Sequence, residues 1–184
     1  MKKALVLFTL AAAILFACAA FASCRSAPEY TPAPCYEPAC APNPLPPYEV
    51  HEFELRVFEL TNLQRSNHRL PPLIWHEQAA FAARGHSVDM EYNDFMRHTG
   101  SDGSNPRQRL ECVGIDNIGN LGANIAGGWL TPEDVVAAWM DSPRYRPNIL
   151  RREFTHVGIG FFQRPEGSNS RFAAYWTQKF FLFE

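Results

Sequence analysis

Eight prolines fall between residues 25 and 49, at positions 28, 32, 34, 38, 42, 44, 46 and 47. Each removes a backbone donor and locks one dihedral. This stretch therefore cannot propagate a helix or enter the middle of a sheet, and it favours an extended, semi-rigid conformation. The crowding divides the 184 residues into a leader over 1–24, a Pro-rich tether over 25–49 and a folded unit over 50–184. The last stretch alone is long enough to bury one real hydrophobic core.

The leader reads as an address. Lys2 and Lys3 precede an apolar run from Ala4 to Ala22, the pattern of a secretory signal. The run is also long enough to span a bilayer, so an uncleaved anchor remains open on length. Its exit, Phe21-Ala22-Ser23-Cys24, resembles the site at which bacterial lipoproteins are cut and acylated, making Cys24 the candidate lipidation site. Leu15-Phe16-Ala17-Cys18 is a second candidate of that kind, and Ala20-Phe21-Ala22 suits ordinary signal cleavage. Every variant puts the working part outside the cytoplasm, as a membrane-anchored lipoprotein, a secreted protein or an anchored one.

Charge narrows the partners. The chain carries 17 Lys and Arg against 19 Asp and Glu. Loss of the leader removes Lys2 and Lys3 and no acid, so no basic excess exists for a polyanion, and nucleic acid is excluded as an expected partner. Cys35 and Cys40 lie five apart in an oxidising compartment and suit a local disulfide loop. That leaves Cys112 as the odd cysteine of the domain, expected buried and inert.

The folded unit reads as α+β. Phe53, Val57, Leu60 and Gln64, with Leu63 alongside, give helical spacing over roughly 50–67, stopped by Pro71-Pro72. Glu77 to Tyr92 suits a second helix with Ala79, Ala80, Ala83 and Val88 inward. Asp94 to Gly122 is rich in turn formers and reads as loop, with a short helix after Pro106. Asn124-Ile125-Ala126 fits a buried strand or a turn. Thr131-Pro132-Glu133-Asp134 starts a helix that Pro143 ends, with Val135, Val136, Trp139 and Met140 facing inward. Two strands follow, Thr155–Phe162 and Phe172–Phe183, joined by a hairpin loop at Pro165–Asn169. Helices first and strands last argue for helices flanking an antiparallel sheet.

Familiar chemistry is absent from the motifs. His76-Glu77 lacks a second His at 80, and there is no Gly-x-Ser-x-Gly elbow, phosphate loop or Cys-x-x-Cys pair. The histidines at 51, 68, 76, 86, 98 and 156 are scattered, and His86 and His156 read singly as packed structural residues.

A series of motifs rises above this background. In order, they are Leu60–Arg65, Leu70-Pro71-Pro72-Leu73 with Trp75, His86–Met90, His98, Asp102-Gly103, Gly122–Ala126, Val136–Leu150, Phe154–Gly160 and Tyr175-Trp176-Thr177-Gln178. Over 58–181 the chain resembles the bacterial single-domain branch of the CAP superfamily, the SCP-like extracellular domains that include cysteine-rich secretory proteins, antigen 5 and pathogenesis-related 1 proteins. The resemblance implies a three-layer α-β-α sandwich with a central antiparallel sheet and a cleft. In that family two His and two Glu line the cleft and hold a divalent metal in some members.

Here the set is depleted. His98 falls on the first family histidine, Ala123 stands in place of the first glutamate, and position 142 is Ser. Tyr145 stands where the bacterial branch has His, and Tyr175 where the eukaryotic one does. Ala supplies no metal ligand and a neutral Tyr supplies a weak one; near its ordinary pKa, Tyr is also a poor base at neutral pH. Asp102, Glu111 and His156 are the conceivable substitutes. Retained Trp139, Asn148, Gly158 and Gln178 read as packing, turn and sheet positions, and the phenylalanines at 161, 162, 180, 181 and 183 as core. The expected cleft residues are therefore His98, Asn124, Ser142, Tyr145 and Tyr175. His98 is the one candidate for catalysis or for a metal, zinc being the ion if the cleft holds any. The expected function is a non-catalytic binding module for a lipid, a cell-wall fragment or a protein, carried on a bacterial membrane. A divalent-metal-dependent hydrolase or peptidase using His98 is the alternative, and a purely structural envelope protein a third reading.

Overall fold

The structure, a computed structural model, describes residues 51–184. The signal, the tether, the acylation site Cys24 and the Cys35–Cys40 pairing all fall outside the described residues. The order of elements is α1 (Glu52–Asn67), β1 (Ile74–Trp75), α2 (Glu77–Tyr92), α3 (Pro106–Cys112), β2 (Ile118–Gly127), α4 (Pro132–Asp141), α5 (Arg146–Leu150), β3 (His156–Gln163) and β4 (Ala174–Phe183).

Four of the five helices of the described residues start where a side chain satisfies free backbone donors; α5 has no such cap. His51 and Glu54 form a reciprocal cap on α1, Asn105 and Gln108 do the same on α3 with Pro106 in the first turn, and Thr131 caps α4. His76 caps α2 through Nδ1, 3.4 Å from the Ala79 amide.

The sheet order is β1-β3-β4-β2. β4 pairs antiparallel with both β2 and β3, whereas β1 pairs parallel with β3 through two residues. Alternation along β4 sends Trp176 and Phe180 to one face and Tyr175 and Phe181 to the other. The first face packs on Val57 of α1, Val135, Val136 and Trp139 of α4 and Ile149 of α5. The second packs on α2 and α3 through Ala79, Ala82 and Leu110, and through Met90. Three layers result, α-β-α, with β4 buried on both faces.

The α2 layer sits close because β3 offers no side chains there. A Cβ on Gly158 would fall 2.1 Å from the Ala79 carbonyl carbon, and one on Gly160 2.0 Å from the Arg84 amide nitrogen.

Where β1 runs out, Glu54 reaches across. Its carboxylate accepts from the Phe161 amide at 2.9 Å and pairs with Arg84 of α2, both side chains being buried. Arg65 ties the opposite end of α1, donating to the carbonyls of Pro71, Ile149, Arg151 and Phe154 while fully buried.

Some expectations shift. The buried stripe of α1 is Glu54, Val57, Thr61 and Arg65, while Leu63 points to solvent, because the helix buries hydrogen-bonded polar groups along with apolar ones. Residues 124–126 are strand, as part of the longer β2. α5 and β1 have no clear sequence signal, being five and two residues long. Cys112 is neither buried nor free: at the end of α3 it is exposed and disulfide-bonded. The four other cysteines all precede residue 51.

Candidate functional site

The family cleft maps to the β2 edge of the sheet, where the loop after α2 meets the turn between α4 and α5. A recess of about 200 Å³ opens there, lined by His98, Pro106, Leu121, Gly122 and Ala123. Ala123 shares the α2 face of β2 with Ile125, while Gly122 looks the other way, toward Asn148 and Phe154.

His98 is held by its backbone: Arg109 of α3 donates to its carbonyl at 2.7 Å. The half-buried imidazole stands 6.2 Å, centroid to centroid, from the Tyr145 ring, and its nitrogens make no hydrogen bond among the described residues. Burial, then the charges of Arg144, Arg109 and Lys179, hold its pKa below the ordinary value.

Behind the lining lie two buried basic side chains. Lys179 pairs across the sheet with Ala123, is fully buried, and donates one long bond of 3.3 Å to the Pro106 carbonyl. Burial, with the charge of Arg109 added, pushes its amine well below the ordinary lysine range. Arg109 is 6% exposed, donates to the carbonyls of Ser104 and His98, and leaves Nε without a partner. Burial lowers its pKa to about 10, against the pull of Asp102 and Asp89. His86, also buried, places Nε2 2.9 Å from the Arg97 carbonyl and leaves Nδ1 unpartnered.

The structure brings His98 and Tyr145 together and separates the other expected cleft residues. Tyr175 is fully buried among Met90, Phe95 and Ile125, its hydroxyl without a partner; Tyr145 packs on that cluster's edge. Asn124 faces the opposite layer in a buried chain. The Asn148 amide donates to its Oδ1 at 2.8 Å, its own amide donates to Gln178 Oε1 at 3.2 Å, and Gln178 donates to Thr61 at 2.9 Å. Asn124 thus fastens α1, β4, β2 and α5 rather than lining the recess. Ser142 closes α4, its carbonyl accepting from the amides of Tyr145 and Arg146. Among the conceivable substitutes, Asp102 is exposed and bonded to the Ser104 amide, Glu111 is exposed on α3, and His156 meets the His76 ring edge-on beside β1.

A divalent metal does not fit this donor set. Among the described residues no three His, Cys, Asp or Glu side chains converge as ligands. The cleft offers one imidazole and the Tyr145 phenol, and the charges acting on that imidazole are cationic. A dication would meet repulsion without anionic ligands to offset it.

Sequence reasoning missed Lys179 and Arg109. The signal for the first was present: Lys179 is the one charged residue in β4, Ala174–Phe183, at the parity of Tyr175 and Phe181. Arg109 had none, since its burial depends on how the 94–105 loop folds over α3.

Residues 58–180 match the family model described as CAP, the cysteine-rich secretory protein family. YkwD of Bacillus subtilis (strain 168) is 37% identical over 134 residues, covering 73% of this chain and 49% of that protein. The membrane protein YlbC of the same organism is 31% identical over 127 residues, covering 69% of this chain and 34% of that one. Among solved structures, an extracellular protein containing a SCP domain from Bacillus anthracis str. Ames gives a TM-score of 0.63 at 29% identity, covering 76% of this chain and 44% of that protein. The chain thus spans about half, or less, of the length of these relatives.

Proposed function

The chain belongs to the cysteine-rich secretory protein (CAP) family, and on that premise we propose that it is an extracytoplasmic binding module whose cleft has lost metal chemistry. One observation carries the reading: of the family's His and Glu set only His98 remains, beside Ala123, Tyr145 and cations. Such a cleft holds a ligand by shape, aromatic contact and positive charge. It supplies neither a Lewis acid nor a base paired with a nucleophile. The ligand is a lipid, a cell-wall fragment or a protein.

Delivery outside the cytoplasm is supported by the leader pattern and by relatives whose names describe an extracellular protein and a membrane protein. In this reading Cys24 carries the lipid and the Pro-rich stretch spaces the domain from the membrane. Cys24→Ala then moves the protein from the membrane fraction to the soluble one in a fractionation of expressing cells. Unchanged membrane retention would remove Cys24 from the account.

Calorimetric titration with zinc tests the cleft. The natural chain is expected to give no saturable heat at micromolar zinc. Micromolar or tighter binding that His98→Ala abolishes would overturn the reading and bring the hydrolase forward.

A further inference from the structure

α2 is covered more fully than its described neighbours explain. Among the described elements it packs on β3 and β4 along one side, through Ala80, Ala83 and Ser87, and on α3 along another, through Ala79 and Ala82. At 3.6 residues per turn these two sides leave an arc of Glu77, Phe81, Gly85, Val88 and Tyr92. The outer helix of a layered fold is expected to turn such an arc to solvent. Only its ends do so: Glu77 and Tyr92 are exposed, Phe81 is half-buried, and Gly85 and Val88 are buried. Val88 is fully buried, yet it joins none of the hydrophobic clusters formed by the described residues. Gly85, without a side chain, leaves a shallow groove between Phe81 and Val88.

The chain outside the described residues ends beside this groove. Cys112, at the close of α3, is disulfide-bonded, and within one chain its partner precedes residue 51, because the described residues hold no other cysteine. Cys112 lies near the level of Gln78: a Cβ on Gly114 would fall 3.9 Å from the Gln78 side-chain nitrogen. His51, where the described chain begins, lies near the level of Arg84. Glu54 pairs with Arg84 there, and the His51 ring stands 4.9 Å, centroid to centroid, from that of Phe161.

We propose that the Pro-rich segment 41–50 docks in this groove of α2, held at one end by a Cys40–Cys112 disulfide and at the other by its continuation into α1. The inference does not rest on the binding-module reading of the cleft. Length selects the cysteine. From Cys40, residues 41–50 span about 31 Å in polyproline form, enough to pass from the end of α3 over Phe81 and Val88 to the start of α1. Cys35 adds further residues of a stiff segment to the same gap. The pattern suits the groove as well. With three residues per turn, Pro42, Leu45 and Tyr48 share one edge and Pro44, Pro47 and Val50 the next, while Asn43 and Glu49 fall on the third. Two adjacent apolar edges thus meet one apolar groove, and proline leaves few backbone donors to be buried there. With the segment docked, the free spacer after Cys24 shortens to residues 25–39 and leaves the domain at its α3 end.

Peptide mapping of the full chain without reductant tests the staple, and a peptide joining Cys40 to Cys112 is expected. A Cys35–Cys40 peptide, a Cys35–Cys112 peptide or a Cys112 joined to a second copy would overturn it. NMR on the same chain tests the groove: Overhauser contacts are expected between the Val88 methyls and the side chain of Leu45 or Tyr48. Val88 contacts to another copy in a mixed-label sample, to detergent, or to residues 51–184 alone would overturn the docking. The double variant Leu45→Ser, Tyr48→Ser alters the strap and leaves the described core intact. Its melting temperature is expected to fall by roughly 5 °C, and an unchanged value overturns the docked segment. Zinc binding in the cleft, which overturns the binding-module reading, would leave all three results as they are.

Discussion

Arg65 shows how much one side chain can hold. Its guanidinium gathers the carbonyls of Pro71, Ile149, Arg151 and Phe154, and so pins the loops that follow α1 and α5 to a single point. A planar fork reaches four acceptors where an ammonium reaches fewer. Arg65→Lys is therefore expected to destabilise the fold by about 3 kcal/mol, since it strands buried carbonyls while keeping the charge. Urea denaturation reads this as a lower midpoint at unchanged slope, and a midpoint equal to that of the natural chain would remove Arg65 from this role. Arg65 stood in view within the Leu60–Arg65 motif, but its role did not, because its partners lie up to 89 residues away. The same holds at the cleft. Loss of the family carboxylate at Ala123 was legible from one position, whereas the buried Lys179 across from it became visible only when β4 was set beside β2.

At the scale of elements, what carries its own boundary chemistry was readable. The Glu77–Tyr92 helix, the Thr131–Pro132 start and the stop at Pro143 are local events, settled by caps and proline within a turn of the boundary. β2 was read only in part because two periodicities compete within it. One face packs Ile125 against α2 and the other buries Asn124 in a polar chain, so the alternation that marks a half-exposed strand is missing. α5 and β1 owe their form to tertiary contact. β1 exists because the amides of Ile74 and His76 find the carbonyls of Thr155 and Val157. The glycines of β3 belong to the same class of fact. Sequence marks Gly158 and Gly160 as candidate sheet positions, but only the packed α2 backbone shows why any side chain there would push two layers apart.

Across the whole molecule the charge balance and the cleft have opposite signs. The chain carries a small net negative charge, yet the backbone of two residues that line the recess at the β2 edge, Pro106 and His98, is bonded by the buried basic side chains Lys179 and Arg109. Titration adds a second global property. His76, His86, His98 and His156 all have pKa values held below 6.5, burial being the largest cause for each. The folded state thus resists protonation that the unfolded chain accepts. Their contribution is complete above pH 6.5 and is lost as pH falls from there toward the lowered folded values. Denaturant midpoints are expected to fall between about pH 7.5 and pH 5, and the loss should shrink in a His86→Gln variant that retains the fold. A flat profile over that range would show that these imidazoles protonate equally in both states.

The carboxylate of Glu54 on the Phe161 amide has a consequence beyond the stability of one chain. β1 covers β3 through only two residues, so the rest of that strand would otherwise present free amides and carbonyls to any neighbour. On a protein gathered at a membrane by its leader, as proposed, copies meet at high local concentration, and an open strand invites the strand of another copy to add on. Glu54, buried and paired with Arg84, already occupies the Phe161 amide and so removes that donor from any incoming backbone.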